Sequence, residues 1–227
     1  MTESEWLACT DPREMLEALQ ADGLLPERKA RLFAAACCRR IWHLLDEGPA
    51  RRAVEVAERY AGGRAEEGEL ADAASGGVTA PGGTALPEVA VGQAVRSALF
   101  LDAGSAAYYA AFGACCGDGG RQFVPLLGAV GAEQGTQAGL HRDLCGNPFR
   151  LVTLSLACLT PQVVALAQAA YEGRELPAGT LDPARLAVLA DALEEAGCDH
   201  ADMLAHLRGP GPHVRGCWVL DLLLGKS

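Results

Sequence analysis

Three dipeptides constrain this chain more than any other feature: Asp11-Pro12, Thr160-Pro161 and Asp182-Pro183. Each pairs a good N-cap residue with proline at the first helical position, where φ is already helical and no intrahelical N–H bond is lost. Glu14, three residues after Asp11, completes a capping-box pattern. Met15, Leu16 and Leu19 then give one apolar face. After Asp182-Pro183, Leu186, Leu189, Ala190 and Leu193 fall at i, i+3, i+4 and i+7, a helical stripe that ends at Gly197.

The same period recurs along the chain. Trp6 to Ala8 suits a short helical turn. The strongest pattern runs from Pro26 to about Leu45, with Phe33, Cys37, Ile41 and Leu44 on one stripe and Ala34, Cys38, Trp42 and Leu45 beside it. Further helices are expected over 49–61, 65–74, 88–116 with a break near Gly104, 122–144, 160–172 and 199–208. Gly128, Gly131, Gly135 and Gly139 lie along one face of the segment 122–144 and predict close approach of a neighbouring element. The final run 214–224 reads as helix or strand, and its leucine-rich end favours helix. Half the residues are apolar but only 5% aromatic. Alanine and leucine carry the hydrophobicity, which favours helix packing over sheets. The expected fold is therefore all-α: a single compact domain of roughly nine or ten helices. Residues 1–74 form an N-terminal helical segment, 75–87 a flexible Gly/Pro loop, and 88–227 a C-terminal helical segment sharing the same core, with Trp6, Trp42 and Trp218 inside it.

A net charge of −10 argues against general nucleic-acid binding, which needs clustered Lys and Arg, and against an anionic membrane surface. No apolar run reaches the length of a membrane span. The opening residues Met1 to Trp6 are acidic and lack the apolar stretch of a signal peptide, so the expected location is the cytoplasm. The nine cysteines are odd in number and include the vicinal pairs Cys37-Cys38 and Cys115-Cys116. Vicinal residues on a helix point away from each other, so they suit small core residues in a reducing compartment better than disulfides.

Three groups of residues bear on chemistry. The C-terminal unit gathers Cys198, His200, His206, His213 and Cys217, which are the ligand types zinc takes, although no tight Cys-x2-Cys knuckle is present. Cys217 is also a candidate thiol nucleophile, with His213 four residues before it and Asp221 four after it. Arg39, Arg40 and His43 on the second long helix form a candidate grip for a carboxylate or phosphate. The loop Gly117-Asp118-Gly119-Gly120 lacks the Gly-Lys-Ser/Thr ending of a phosphate cradle. No nucleophile elbow, His-Glu-x-x-His or dinucleotide fingerprint occurs.

Several segments carry a resemblance: EWLACTDP from Glu5, the run Arg31 to Leu45 containing ACCRRIWHLL, Ala53 to Ala61, Gly146 to Arg150, Leu189 to Cys198, and GPGPHVRGCW from Gly209. They resemble a paralogue-rich family of uncharacterised bacterial proteins with no assigned activity. The likeness covers both ends and is loose over 66–140. It implies a shared helical fold, and expansion into many copies suits an interaction or regulatory module. The functional expectation is a non-catalytic cytoplasmic helical adaptor with a protein partner, of the kind found as a subunit of a bacterial defence or signalling system. The alternative is a zinc-binding or thiol-dependent protein built on the C-terminal Cys/His cluster. Otherwise no cofactor is expected.

Overall fold

The computed structural model describes residues 1–45, 47–75, 94–95, 123–150 and 152–226. The expected helix over 88–116, the pair Cys115-Cys116, the turn at 117–120 and all but the first residue of the loop 75–87 lie outside those residues or almost wholly so. Among the described residues there are ten α-helices and one two-stranded sheet, so the chain is all-α. No described helix is long and apolar enough to cross a membrane.

The cap signals act locally. Helix α1 (Glu3–Ala8) carries a full capping box: Glu5 N–H donates to Thr2 Oγ1 and Thr2 N–H to Glu5 Oε2. Helix α2 (Pro12–Ala21) starts on Asp11, whose carboxylate accepts from Arg13 N–H at 2.8 Å. Helix α3 (Glu27–Arg40) ends five residues earlier than its apolar stripe predicts. The chain tightens at Ile41 into a 3-10 turn (Trp42–Leu44), where the Arg39 guanidinium stacks 4.0 Å over the Trp42 ring. Helices α4 (Pro49–Ala61) and α5 (Glu67–Ser75) follow, then α6 (Phe123–Cys145). Helices α7 (Pro161–Glu172) and α8 (Pro183–Glu195) begin on Thr160 and Asp182 caps, as their sequences predict. Helices α9 (Ala201–Arg208) and α10 (Trp218–Leu224) follow; of the expected run 214–224 only the part from Trp218 is helical, and Val214 to Cys217 form a bridge and a turn.

Strands β1 (Arg174–Glu175) and β2 (Thr180–Leu181) pair antiparallel between α7 and α8, too short to leave a period-2 pattern in the sequence. They have a structural task. Thr180 bridges to Val214, and Leu181 N–H donates to His213 O at 2.8 Å, which fastens the C-terminal loop.

Helix α3 is the axis of the first core. It packs against α4 and α6, and Phe33, Cys37, Cys38 and Ile41 are fully buried there with Leu140 and Leu144 of α6. Phe33 stacks 3.8 Å from the His141 ring. A second core lies among α7, α8, α9 and α10. A small third cluster joins Trp6, Met15 and Leu19 to Ala138. The three tryptophans therefore do not share one core. Trp6 is in the third cluster, while half-buried Trp42 and Trp218 flank the first and second. Gly146 touches both Trp6 and Trp218: its carbonyl accepts from Trp6 Nε1 at 3.2 Å, and a Cβ there would stand 3.1 Å from the Trp218 ring. On the glycine face of α6 one close approach to a described neighbour is seen. Among the described residues Gly131 and Gly135 face no atom within 4 Å, and Gly139 alone packs on a neighbour, Pro212.

Candidate functional site

Four side chains from three parts of the chain converge at the junction of the two main cores: Asp143, His206, His213 and Cys217. Asp143 sits in the last turn of α6 and His206 on α9. Two tight turns bring in the others. The loop Gly209 to Pro212 reverses the chain after α9. Gly211 has φ +79°, and a Cβ there would lie 2.7 Å from His213 N, so the turn that delivers His213 requires glycine. Gly216 has φ +94°, and a Cβ would meet Leu32 Cδ1 at 2.6 Å. It lets the turn closed by Cys217 N–H on Val214 O tuck under α3, and Cys217 becomes the N-cap position of α10.

The carboxylate of Asp143 is the hub. Its Oδ1 lies 2.8 Å from His213 Nδ1 and 3.0 Å from His206 Nε2, and its Oδ2 accepts from Val214 N–H at 2.8 Å. His206 Nε2 is also 3.2 Å from Cys217 Sγ, and His213 Nε2 faces the Gly209 carbonyl at 3.2 Å. The rings of His206 and His213 meet edge to face, and His206 also flanks Trp218. Asp143, His213 and Cys217 are buried; His206 is partly open.

Burial sets the charges against one another. Desolvation pushes the Asp143 carboxyl up, but the bonds and charges of His206 and His213 outweigh it and hold it below the ordinary value. Desolvation pushes His213 down, and the bond and charge of Asp143 outweigh that, so it is raised. The Cys217 thiol is driven well above its ordinary value, first by burial and then by the negative charge of Asp143, against the weaker pull of the backbone at Leu220 and Val219. A buried thiol with a raised pKa is a poor nucleophile. Asp221 does not complete a triad either: both its oxygens face Arg28, and Lys29 Nζ is 2.5 Å away. Asp221 is therefore not the third member of a Cys217-His213 triad.

Of the five predicted metal ligands, the structure brings His206, His213 and Cys217 together and leaves Cys198 and His200 outside. Cys198 is buried in the second core, near Cys158, whose thiol is pushed up first by burial and then by Cys198. His200 occupies the N-cap position of α9 without a side-chain capping bond. Asp143, 63 residues before His206, has no signature in local spacing.

The three residues proposed to grip an anion part company. Arg39 is buried and forks onto Glu58 (3.1 and 2.7 Å), and Arg40 forks onto Glu133 (2.6 and 2.7 Å). Arg40 and His43 are exposed, whereas Arg39 is not. Both guanidiniums already hold a carboxylate, so the face offers no open fork for an external anion.

No family model, curated protein or solved structure matches this chain.

Beside the cluster lies a cleft of about 720 Å³, bounded by α1 and α2 on one side and by α9 and α10 on the other. Trp6, Leu19 and Trp218 form apolar wall, and the exposed side chains of Leu7 and Leu24 stand at its edge. Four cations (Lys29, Arg142, Arg150, Lys226) and two carboxylates (Asp202, Asp221) line it, opposite in balance to the chain's net charge of −10. His206 belongs to both cleft and cluster.

Proposed function

We propose that the chain is a non-catalytic helical interaction module whose cleft receives an apolar segment of a protein partner with acidic flanks. The cleft carries this reading. It has the volume of a binding site, a mainly apolar wall with a few charged groups, and two large exposed leucines, Leu7 and Leu24, at its edge. Its positive lining in an acidic chain selects the charge of the occupant. A reducing cytoplasm suits the seven described cysteines, all of them free.

The test is selection of peptides from a random library on the full chain, followed by affinity measurement on variants. Leu24→Asp and Leu7→Asp are expected to weaken the selected peptides at least about tenfold, in the range of a lost interface anchor. Leu156→Asp, 84% exposed and away from the cleft, is expected to leave them unchanged. Equal binding by Leu24→Asp and wild type would contradict the reading.

A further inference from the structure

We propose that Asp143 Oδ1, His206 Nε2, His213 Nδ1 and Cys217 Sγ bind one zinc ion. This inference is independent of what occupies the cleft. The four ligand atoms lie within 4.8 Å of one another. A tetrahedral zinc with its usual bonds holds its ligand atoms about 3.3–3.8 Å apart. The shorter separations here, 2.8, 3.0 and 3.2 Å, need to open by up to about half an ångström, and separations of up to 4.8 Å to close by about one, to reach that range.

The donor set fits zinc in kind. Two imidazole nitrogens, one thiolate and one carboxylate oxygen suit a borderline metal in a closed tetrahedron. Magnesium and calcium prefer all-oxygen shells. One carboxylate and one thiolate balance the two positive charges, which matters where three of the four ligands are buried. Four protein ligands fill the tetrahedron, so the ion is structural.

The surroundings hold the ligands as metal sites do. With zinc on Nδ1, the hydrogen of neutral His213 sits on Nε2, where the Gly209 carbonyl stands ready to accept it at 3.2 Å. Val214 N–H fixes the other oxygen of Asp143. With His213 in that tautomer, a lone pair on Nδ1 faces the carboxylate at 2.8 Å. A shared cation resolves this opposition. A proton on Nδ1 is the competing arrangement, and the experiment separates the two. When zinc binds, the Cys217 S–H bond breaks, its proton leaves to solvent, and the thiolate coordinates; no electron transfer is involved.

The experiment uses the full chain, treated with a chelator under reducing conditions and titrated with cobalt(II). One equivalent is expected to give the visible bands of tetrahedral cobalt and a thiolate-to-cobalt charge-transfer band in the near ultraviolet, and zinc is expected to displace both. Cys217→Ser is expected to lose the charge-transfer band. Cys198→Ser, outside the cluster, is expected to keep it. Circular dichroism identifies which variants fold. Should Cys217→Ser not fold, His206→Gln is read instead, with cobalt affinity expected to fall at least about 100-fold, beyond the usual effect of losing an outer-shell partner. A wild-type chain without tetrahedral bands overturns the proposal. So does a charge-transfer band that survives Cys217→Ser or vanishes in Cys198→Ser, or a His206→Gln affinity equal to wild type.

Discussion

Arg28, at the start of α3, forks onto Asp221 in the last helix, 193 residues away, with Nη1 and Nη2 at 2.6 and 2.9 Å from the two carboxylate oxygens. Asp221 is buried, and Lys29 Nζ adds a second cation at 2.5 Å while also donating to the carbonyls of Leu144 and Gly216. The first and second cores are joined through this group. Removing one partner of a buried pair leaves the others uncompensated. Asp221→Ala is expected to destabilise the chain by about 3–5 kcal/mol, measured by urea unfolding. A loss under about 1 kcal/mol, as for a surface pair, would show that the junction is not held here.

The second buried pair predicts a pH dependence. Burial pushes Glu58 up, but the bonds and charges of Arg39 and Arg174 outweigh it, so its folded pKa lies below the ordinary value of 4.5. A depressed carboxylate stabilises the fold above its unfolded pKa. That contribution is lost as the pH falls from about 4.5 through the lower folded value. Wild-type stability should therefore fall more steeply with acid in that window than that of Glu58→Gln. Parallel curves would remove Glu58 from the acid response.

The turn at Gly216 is a steric prediction. Alanine there must adopt φ +94° and place its Cβ 2.6 Å from Leu32 Cδ1 and 3.0 Å from Leu144 Cδ2. Strain of that kind costs on the order of 1–3 kcal/mol, and displaced core side chains add to it. Gly216→Ala should lower the melting temperature, whereas Gly197→Ala meets no neighbour within 4 Å and should lose only the backbone contribution at φ +84°. Equal losses at the two sites would show that the close packing under α3 does not matter.

Thiol accessibility separates a buried ligand from a nucleophile. Cys217 is fully buried with a raised pKa, and Cys9 is half-exposed. In a thiol-labelling time course on the native chain, Cys9 should react well before Cys217, which should label only on unfolding. Fast native labelling of Cys217 would favour the nucleophile reading.

What the sequence made legible was local. Asp11-Pro12, Thr160-Pro161 and Asp182-Pro183 mark the starts of α2, α7 and α8 because a cap and a proline act within one turn. The Phe33-Cys37-Ile41 stripe marks the central helix for the same reason, although it overshoots the end at Arg40. Three of the four cluster residues were visible because the short loop between His206 and Cys217 brings them together whatever the rest of the fold does. Asp143 was not, since it reaches the cluster through the packing of α6. Asp221 looked like a partner for His213 on spacing alone. It turns instead to Arg28 and Lys29, whose placement depends on α3. The arginines of α3 read as a ligand grip because their carboxylates, Glu58 and Glu133, are 19 and 93 residues away.

The most direct measurement of the central claim is backbone hydrogen exchange on the full chain, with and without a saturating peptide from the library selection. The account predicts slowed exchange confined to the cleft: around Trp6 and Leu7, Leu19 to Leu24, Gly146 to Val152, Asp202 to His206, and Trp218 to Leu222. Protection centred elsewhere, such as on α4 and α5, with these segments unchanged, would contradict it.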